Sequence, residues 1–260
     1  MKRPTFAVSC LLLAACSTRD LGYLEGGDGG VRDGGALDYH AEVLRDAPVA
    51  YLRLGERSGT ALIDEMGLQD STYPSSGVTL GATGALLLDP DTAISLDGSR
   101  GILMPRGLDL EGLTPFSIEL WARQTDQPNY GFTLDHENFE GTRDGWALLL
   151  ETDEVSFERW MSGSTNGAVA NSPGALPLGT WHHLIVTFDG SQLTLYIDNR
   201  VASLNAVGSA LPKTNNTWKI GYQNCDCSGN GFTGDLDEIA FYAAALSAER
   251  VAVHYHASGR

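Results

Sequence analysis

Positive charge is scarce in this chain of 260 residues. Lys and Arg together number 17 against 33 Asp and Glu, so the formal net charge is −16. A chain of this sign repels polyanions, which excludes nucleic acid as an expected partner. Charged residues are also few, at 19%, whereas hydrophobic residues make up 42%. Because a disordered acidic chain has the opposite balance, we expect a folded domain with an acidic surface.

Long hydrophobic runs are absent as well. Residues 6–15 form an apolar segment that is too short to span a bilayer as a helix, and no later run approaches the roughly 18 residues required. This segment follows the basic residues 1–3 (MKR) and runs into residues 13–16 (LAAC). The arrangement resembles a bacterial lipoprotein signal with its lipobox. The resemblance implies cleavage before Cys16 and a lipid on its sulfur; an ordinary secretory peptide cut after Ala15 is the alternative.

The segment after Cys16 is rich in glycine and acidic residues. Residues 17–36 have too little apolar surface to offset the entropy of ordering. We therefore predict a flexible tether at 16–36, between a signal peptide at 1–15 and a domain at 37–260. Removing the signal takes away two basic residues and no acid, which lowers the formal charge to −18. The resemblance implies a bacterial envelope protein, at the outer membrane or cell surface, whose lipid is its only membrane attachment.

Cysteine is also rare, with four residues in the chain. Cys10 leaves with the signal and Cys16 takes the lipid, so Cys225 and Cys227 remain as a pair outside the cytosol. We predict a disulfide between them, with free or metal-bound thiols as the alternative.

The body of the chain has the pattern of many short strands. Glycine is plentiful, at 31 residues, and Asp-Gly pairs at 97–98 and 189–190 are typical of turns between strands. The candidate strands are residues 49–54, 92–96, 101–104, 116–123, 130–134, 146–151, 155–161, 182–189, 192–198, 200–204, 218–222 and 236–242. Short helices are predicted at 39–47 and after Ser247. This pattern predicts an all-β fold, a two-sheet antiparallel jelly-roll sandwich with short flanking helices.

Five stretches resemble laminin G-like, concanavalin A-like jelly-roll modules. They are residues 48–56, 94–99, 116–121, 181–198 and 232–247, and they occur in the order found in that family. The similarity covers roughly residues 39–257. It implies adhesion to glycan, protein or matrix, often with a structural calcium ion, and the fold alone does not choose among these functions.

The sequence contains no recognisable arrangement of catalytic residues. A glycosidase needs two carboxylates that converge in a cleft. In residues 151–154 and 235–238, strand alternation brings two acids to one face but no third, and no Gly-x-Ser-x-Gly motif is present. We therefore predict no catalytic residue and a protein that is not an enzyme.

Two aspartates are candidate ligands of a structural Ca²⁺. Asp237 precedes Ile239 and Phe241 at even spacing, so we expect it on their inward face, where a buried carboxylate needs a cation or several donors. Asp97, in a predicted turn, is the second candidate, by resemblance to calcium-bearing relatives as well as by chemistry. The alternative is that Asp237 accepts backbone N–H groups and Asp97 only closes its turn.

Three aromatic residues are candidates for stacking on a sugar ring. Trp146, Trp160 and Tyr130 flank the loop-rich middle of the chain, although the core is the alternative for each. Residues 125–144 are polar, and we predict a long exposed loop there that contributes to specificity.

Together these features predict a lipid-anchored, non-catalytic module at the cell surface or in the periplasm. Its predicted partner is carbohydrate, or a glycosylated or matrix surface. The alternatives are protein–protein adhesion or envelope architecture, and then a glycoside hydrolase on the same fold.

Overall fold

The computed structural model describes residues 31–32, 36–108, 110, 112–128, 130–137, 143–161, 164–207, 210, 216–225 and 230–260. The two helices are α1 (Tyr39–Arg45) and α2 (Ala248–Ala257). The strands within the described residues are β1 (Val31–Arg32), β2 (Ala36–Leu37), β3 (Ala50–Leu52), β4 (Ala61–Leu62), β5 (Ser71–Thr72), β6 (Val78–Thr83), β7 (Thr92–Asp97), β8 (Ile102–Met104), β9 (Phe116–Gln124), β10 (Phe132–Asp135), β11 (Gly145–Leu150), β12 (Val155–Met161), β13 (Ser164–Asn171), β14 (His182–Phe188), β15 (Gln192–Ile197), β16 (Arg200–Ala206), β17 (Trp218–Ile220) and β18 (Thr233–Tyr242).

Two large antiparallel sheets make up the sandwich. The six-stranded sheet has the order β13-β12-β11-β10-β17-β8. The eight-stranded sheet has the order β16-β15-β14-β9-β18-β7-β6, and β3 also pairs with β18. The predicted all-β jelly-roll class, with two short flanking helices, is confirmed.

The core lies between the two sheets. Alternation on β9 sends Ile118 and Leu120 inward, and their register partners Val186 and Leu184 on β14 point the same way. The six-stranded sheet contributes Trp146, whose ring centre lies 6.1 Å from that of Phe241 on the facing sheet. Side chains from the two sheets therefore interlock, as in other aligned sandwiches.

Several strands of the structure were not predicted from the sequence, among them β6, β13 and the pair β1 and β2. In β6, Gly81 has a φ of 76° at a register shift, a bulge that interrupts the pairing of this strand with β7. β13 pairs with β12 although its sequence (STNGAVAN) has little β propensity. β1 pairs with β2 at the C-terminal end of the predicted tether, on either side of a sequence, DGG, that is typical of hairpin connections. The sequence did not predict these two short strands, and residues 16–30 of the tether lie outside the described residues.

Both helices cover the outer face of the eight-stranded sheet. Asp38 caps α1 and Ser247 caps α2, as its hydroxyl accepts a hydrogen bond from Arg250 N at 3.3 Å. Val43 of α1 and Val251 of α2 are buried in one apolar cluster with sheet residues that include Trp121. The helices thus form a second, smaller core on the side of this sheet away from the sandwich interior.

A buried carboxylate lies at the centre of this second core. Glu119, which is 0% exposed, accepts hydrogen bonds from the hydroxyls of Tyr39 (2.8 Å) and Tyr242 (2.6 Å). Its oxygens also lie 2.7 Å from His183 Nε2 and 2.9 Å from His254 Nδ1. We call these five residues the Glu119 network. It joins both helices to the sheet through charged hydrogen bonds.

The network makes stability sensitive to alkaline pH. Glu119 and Asp46 raise the pKa of His254 to about 9, against the opposing effect of burial. The charged imidazole therefore stabilises the fold fully below its ordinary pKa, and this contribution is lost as the pH rises through about 9. We expect the loss of this charge to lower the free energy of unfolding by up to about 3 kcal/mol between pH 6.5 and 9.5, measured by urea denaturation. His254→Gln should reduce the total fall by that amount, whereas His256→Gln, an exposed change on the same helix, should leave it unchanged; an equal fall in both variants contradicts the assignment.

Candidate functional site

The outer face of the six-stranded sheet carries a row of polar side chains. Asp135 on β10 is the register partner of Ala147 on β11, which in turn pairs with Glu158 on β12. Their neighbours Leu134 and Leu148 point into the core. Because side chains alternate along each strand, Asp135 and Glu158 face away from the core on two strands that are separated by β11.

A groove lies beside Glu158 on this face and has a volume of about 340 Å³. It falls within the size range of small-ligand pockets. Eight residues line it: Tyr130, Phe132, Arg143, Leu149, Glu158, Trp160, Gln223 and Asn230. The rings of Tyr130, Phe132 and Trp160 therefore lie beside amide, carboxylate and guanidinium groups.

Arg143 connects the polar side chains of the groove. One of its terminal nitrogens lies 2.7 Å from Glu137 Oε2 and 3.7 Å from Glu158 Oε2. The guanidinium carbon lies 3.6 Å from the ring centre of Trp160, a cation–π contact. Trp160 Nε1 donates a hydrogen bond of 2.7 Å to Glu158 Oε2, so both the ring and the carboxylate are held in place.

Two further carboxylates lie buried at the edge of the groove. Desolvation raises the pKa of Asp135 to about 7. Desolvation, reinforced by the charge of Asp135, raises the pKa of Glu137 to about 8. Asp135 accepts backbone hydrogen bonds from Glu137 N (2.8 Å) and Asn224 N (2.7 Å), so it also anchors the turn at Asn224. Glu137 Oε1 is buried and accepts no hydrogen bond from the described residues.

Two of the three aromatic candidates lie in this groove, and the third does not. Tyr130 is 54% exposed and Trp160 is half-buried, and both line the groove. Trp146 is 1% exposed and packs against Phe157 in the core. The proposal of Trp146 as a ligand platform is therefore corrected, because its position on β11 points it inward.

The polar middle segment is also more structured than predicted. Residues 132–135 form β10, and the side chains of His136 and Glu137 are buried. The prediction of one long exposed loop at 125–144 is therefore wrong in its centre. Residues 129 and 138–142 lie outside the described residues.

Sequence reasoning did not identify Glu158, Gln223 and Asn230 as groove residues. Glu158 precedes Trp160 by two positions, which is the spacing of a shared strand face. Gln223 and Asn230 come from a different part of the chain, and their only signal was proximity to Cys225. Cys227 and Cys16 lie outside the described residues, so the disulfide and the lipid attachment stay predictions.

The two predicted calcium ligands do not share a site. Asp97 is exposed, and its carboxylate accepts a hydrogen bond from Ser99 N at 2.8 Å. It pairs with Thr233, four positions from Asp237 along β18, so the two backbones lie about 13 Å apart. Within the part of the chain that the structure describes, no three His, Cys, Asp or Glu side chains are grouped to hold a metal ion. The residues therefore do not fit one calcium site built from this pair.

Asp237 is buried on the opposite face from the one predicted. A register shift follows it on β18, and Glu238 has a φ of 52°. This bulge reverses the alternation, so Asp237 pairs with Trp121 on the helix-covered face while Ile239 points into the core. Ala85 N donates to Asp237 Oδ2 at 2.8 Å, and Oδ1 accepts no hydrogen bond from the described residues.

Asp237→Asn should therefore stabilise the protein when calcium is removed. Burial and the charge of Glu238 raise the pKa of Asp237 well above its ordinary value, so the ionised form costs stability as the pH rises through that pKa. We expect Asn to increase the free energy of unfolding in EDTA at pH 8 by about 1–3 kcal/mol, because the neutral amide removes the buried charge. Asp97→Asn, an exposed control, should change it by less than about 0.5 kcal/mol. The prediction is contradicted if calcium raises the thermal midpoint of the wild type and Asp237→Asn has a lower midpoint than the wild type. That result would favour Asp237 as a calcium ligand.

A second depression, of about 800 Å³, lies beside β16, at the edge of the eight-stranded sheet. Its lining includes Arg200, Val201, Tyr255 and His256. The ring of Tyr255 already stacks on that of Trp121, with centres 6.2 Å apart. The groove with Tyr130 is therefore the better candidate for holding a sugar ring. Among the described residues, no helix has the length and apolarity needed to cross a membrane.

Comparison with protein families gives a match over more than half of the chain. Residues 96–252 match a laminin G family model described as the concanavalin A-like lectin/glucanases superfamily. A search of curated proteins finds no match.

Solved structures share the fold at low sequence identity. The binding domain of Paraclostridial Mosquitocidal Protein 1 is 15% identical, with a TM-score of 0.61, over 82% of this chain and 52% of that one. Domain 4 of AbnA, a GH43 extracellular arabinanase from Geobacillus stearothermophilus, in complex with arabinotriose, is 17% identical, with a TM-score of 0.57, over 80% of this chain and 98% of that one. Trypanosoma rangeli sialidase is 13% identical, with a TM-score of 0.61, over 87% of this chain and 34% of that one. This chain thus spans about half of the toxin domain and a third of the sialidase.

Proposed function

Because the chain belongs to the concanavalin A-like lectin/glucanases superfamily, we propose that it binds carbohydrate in the groove on the outer face of the six-stranded sheet. The observation that carries the proposal is the convergence of Tyr130 and Trp160 with Gln223 and Asn230 in one groove. Aromatic faces pack against the C–H faces of sugar rings, and amides exchange hydrogen bonds with hydroxyls. The arabinotriose complex of the similar arabinanase domain supports a binding role for this fold.

The polar groups are arranged to orient a ligand. Asn230 Nδ2 donates to Gln223 Oε1 at 2.5 Å, which leaves the Gln223 amide nitrogen and the Asn230 carbonyl oxygen for other partners. Tyr130 supplies the most exposed ring of the groove. Since Arg143 covers one face of Trp160, we expect the principal stacking contact on Tyr130.

The test is an array of neutral and acidic glycans and polysaccharides probed with the full chain. We expect binding to one defined glycan class, with Tyr130→Ala failing on the same spots. If protein that is folded by circular dichroism binds none of the glycans on the array, the carbohydrate proposal is wrong for the sugars displayed. Capture of a surface protein without its glycans would instead support the adhesion alternative.

A second candidate function is glycoside hydrolysis, favoured by the raised pKa values of Asp135 and Glu137. Values of about 7 and about 8 lie in the range of a catalytic general acid. The backbone hydrogen bonds to Asp135 give that carboxylate a structural role as well. Chromatography of bound glycans after incubation separates the two functions: intact glycans support a binding module, whereas shortened products that disappear with Glu137→Gln support an enzyme.

We also propose that the module is tethered to the bacterial envelope through a lipid on Cys16. α1 follows the tether and packs on the outer face of the eight-stranded sheet, whereas the groove lies on the outer face of the other sheet. The tether would therefore join the domain on the side away from the groove and leave the groove open. Cys16→Ala should move the protein from the detergent-extracted membrane fraction to the soluble fraction; membrane retention of this variant contradicts the anchor.

A further inference from the structure

We infer that the groove selects uncharged oligosaccharides and discriminates against glycans that carry carboxylate or sulfate groups. This inference rests on the proposed carbohydrate function and names the ligand class of the same groove. It follows from three features of the charges around the groove.

The first feature is that the cation of the groove is already paired. Among the described residues that line it, Arg143 is the only cation. Its guanidinium lies 2.7 Å from Glu137 and 3.7 Å from Glu158, and it stacks on Trp160. A ligand carboxylate would have to compete with two protein carboxylates for this cation and would displace it from the indole ring. An anionic ligand therefore gains little binding free energy from contact with Arg143.

The second feature is that the groove presents negative charge and hydrogen-bond acceptors to its ligand. The carboxylate of Glu158 is partly exposed in the groove wall, at 22% of its side chain, and is fixed by the hydrogen bond from Trp160. Sugar hydroxyls donate to the Glu158 carboxylate, whereas a ligand carboxylate or sulfate has no proton to donate and is repelled.

The third feature is the surrounding charge. The chain carries a formal net charge of −16, and this long-range field repels anionic ligands. Within the described residues, Lys219 on β17 is a second basic residue on this face, since it is the register partner of Asp135. It is only 8% exposed and does not line the groove, so it does not reverse the sign of the groove wall.

The test compares matched pairs of glycans that differ only in one acidic group. Lactose with 3′-sialyllactose, and a neutral dextran with its carboxymethyl derivative, are suitable probes, together with any neutral array hit and its acidic form. Affinities for the full chain are measured by calorimetry at about 0.05 M and about 0.5 M NaCl. We expect the neutral member to bind at least about tenfold more tightly, with an affinity that salt hardly changes. The affinity for the acidic member should improve with salt, because screening weakens the repulsion.

Two variants locate the discrimination in the groove. Glu158→Gln keeps an oxygen that can accept from Trp160 Nε1 but removes the charge, so it should reduce the preference for the neutral member at least about threefold. Glu249→Gln removes one charge from exposed α2, on the other side of the sandwich, and should leave the preference unchanged.

The outcomes separate the two proposals. Equal binding of both members, tighter binding of the acidic member, or an unchanged preference in Glu158→Gln overturns the selectivity while the carbohydrate function stands. Failure of every neutral and acidic probe to bind folded protein overturns the carbohydrate function itself.

Discussion

Replacing Glu119 with alanine is expected to lower the free energy of unfolding by about 3–5 kcal/mol. Glu119 is completely buried and accepts hydrogen bonds from Tyr39 and Tyr242, while His183 and His254 lie within 3 Å of its oxygens. Without it, the charge of His254 has lost its buried counter-ion, and two phenol hydroxyls have lost their acceptor. Breaking a buried pair costs more than the pair contributes, because the remaining charge stays desolvated.

The change is measured by urea denaturation followed through tryptophan fluorescence. Glu249→Ala, on the exposed face of α2, is the matched loss of a glutamate and should change stability by less than about 0.5 kcal/mol. Because Glu119→Ala could prevent folding altogether, Tyr242→Phe provides a milder second variant, which removes one donor and should cost about 1–2 kcal/mol. A cost below about 0.5 kcal/mol in both Glu119→Ala and Tyr242→Phe would show that the Glu119 network does not hold the helices on the sheet.

The strands that sequence reasoning located best are those with regular alternation. β14 and β15 repeat an apolar residue at every second position around an Asp-Gly turn, so their period and their pairing were both readable. The Glu119 network was not readable in this way. Its five members come from five separate segments, and only the register of β9 against β14 and β18 brings Glu119 beside His183 and Tyr242.

The groove was only partly predictable for a related reason. Every residue of β11 is buried, so its sequence does not show which face is the core, and Trp146 could not be distinguished from Trp160. Asp237 was placed on the wrong face because a bulge at Glu238 is not encoded by any Gly or Pro. Composition and alternation therefore predicted the sandwich, whereas the side-chain clusters depend on strand register, which a single sequence shows poorly.

Removing the ring of Tyr130 or of Trp160 is expected to weaken glycan binding by about thirtyfold, which corresponds to about 2 kcal/mol. Tyr130→Ala removes a ring that is 54% exposed and so has free area to cover a sugar. Trp160→Ala removes the indole that packs against Arg143 and holds Glu158 by a hydrogen bond. We therefore expect Tyr130→Ala to lose only stacking, whereas Trp160→Ala also releases the two charged side chains and should lose selectivity between neutral and acidic glycans.

Calorimetric titration with a glycan that binds the wild type measures both effects. Leu103→Ala is the matched control, since Leu103 is 55% exposed on β8 of the same sheet but does not line the groove, and its affinity should stay within about twofold. Trp160→Phe keeps a ring and should recover part of the affinity without the hydrogen bond to Glu158. If both alanine variants bind the glycan as tightly as the wild type does, the ligand occupies another surface. The next substitutions would then be made in the depression beside β16, beginning with Val201, which is 55% exposed there.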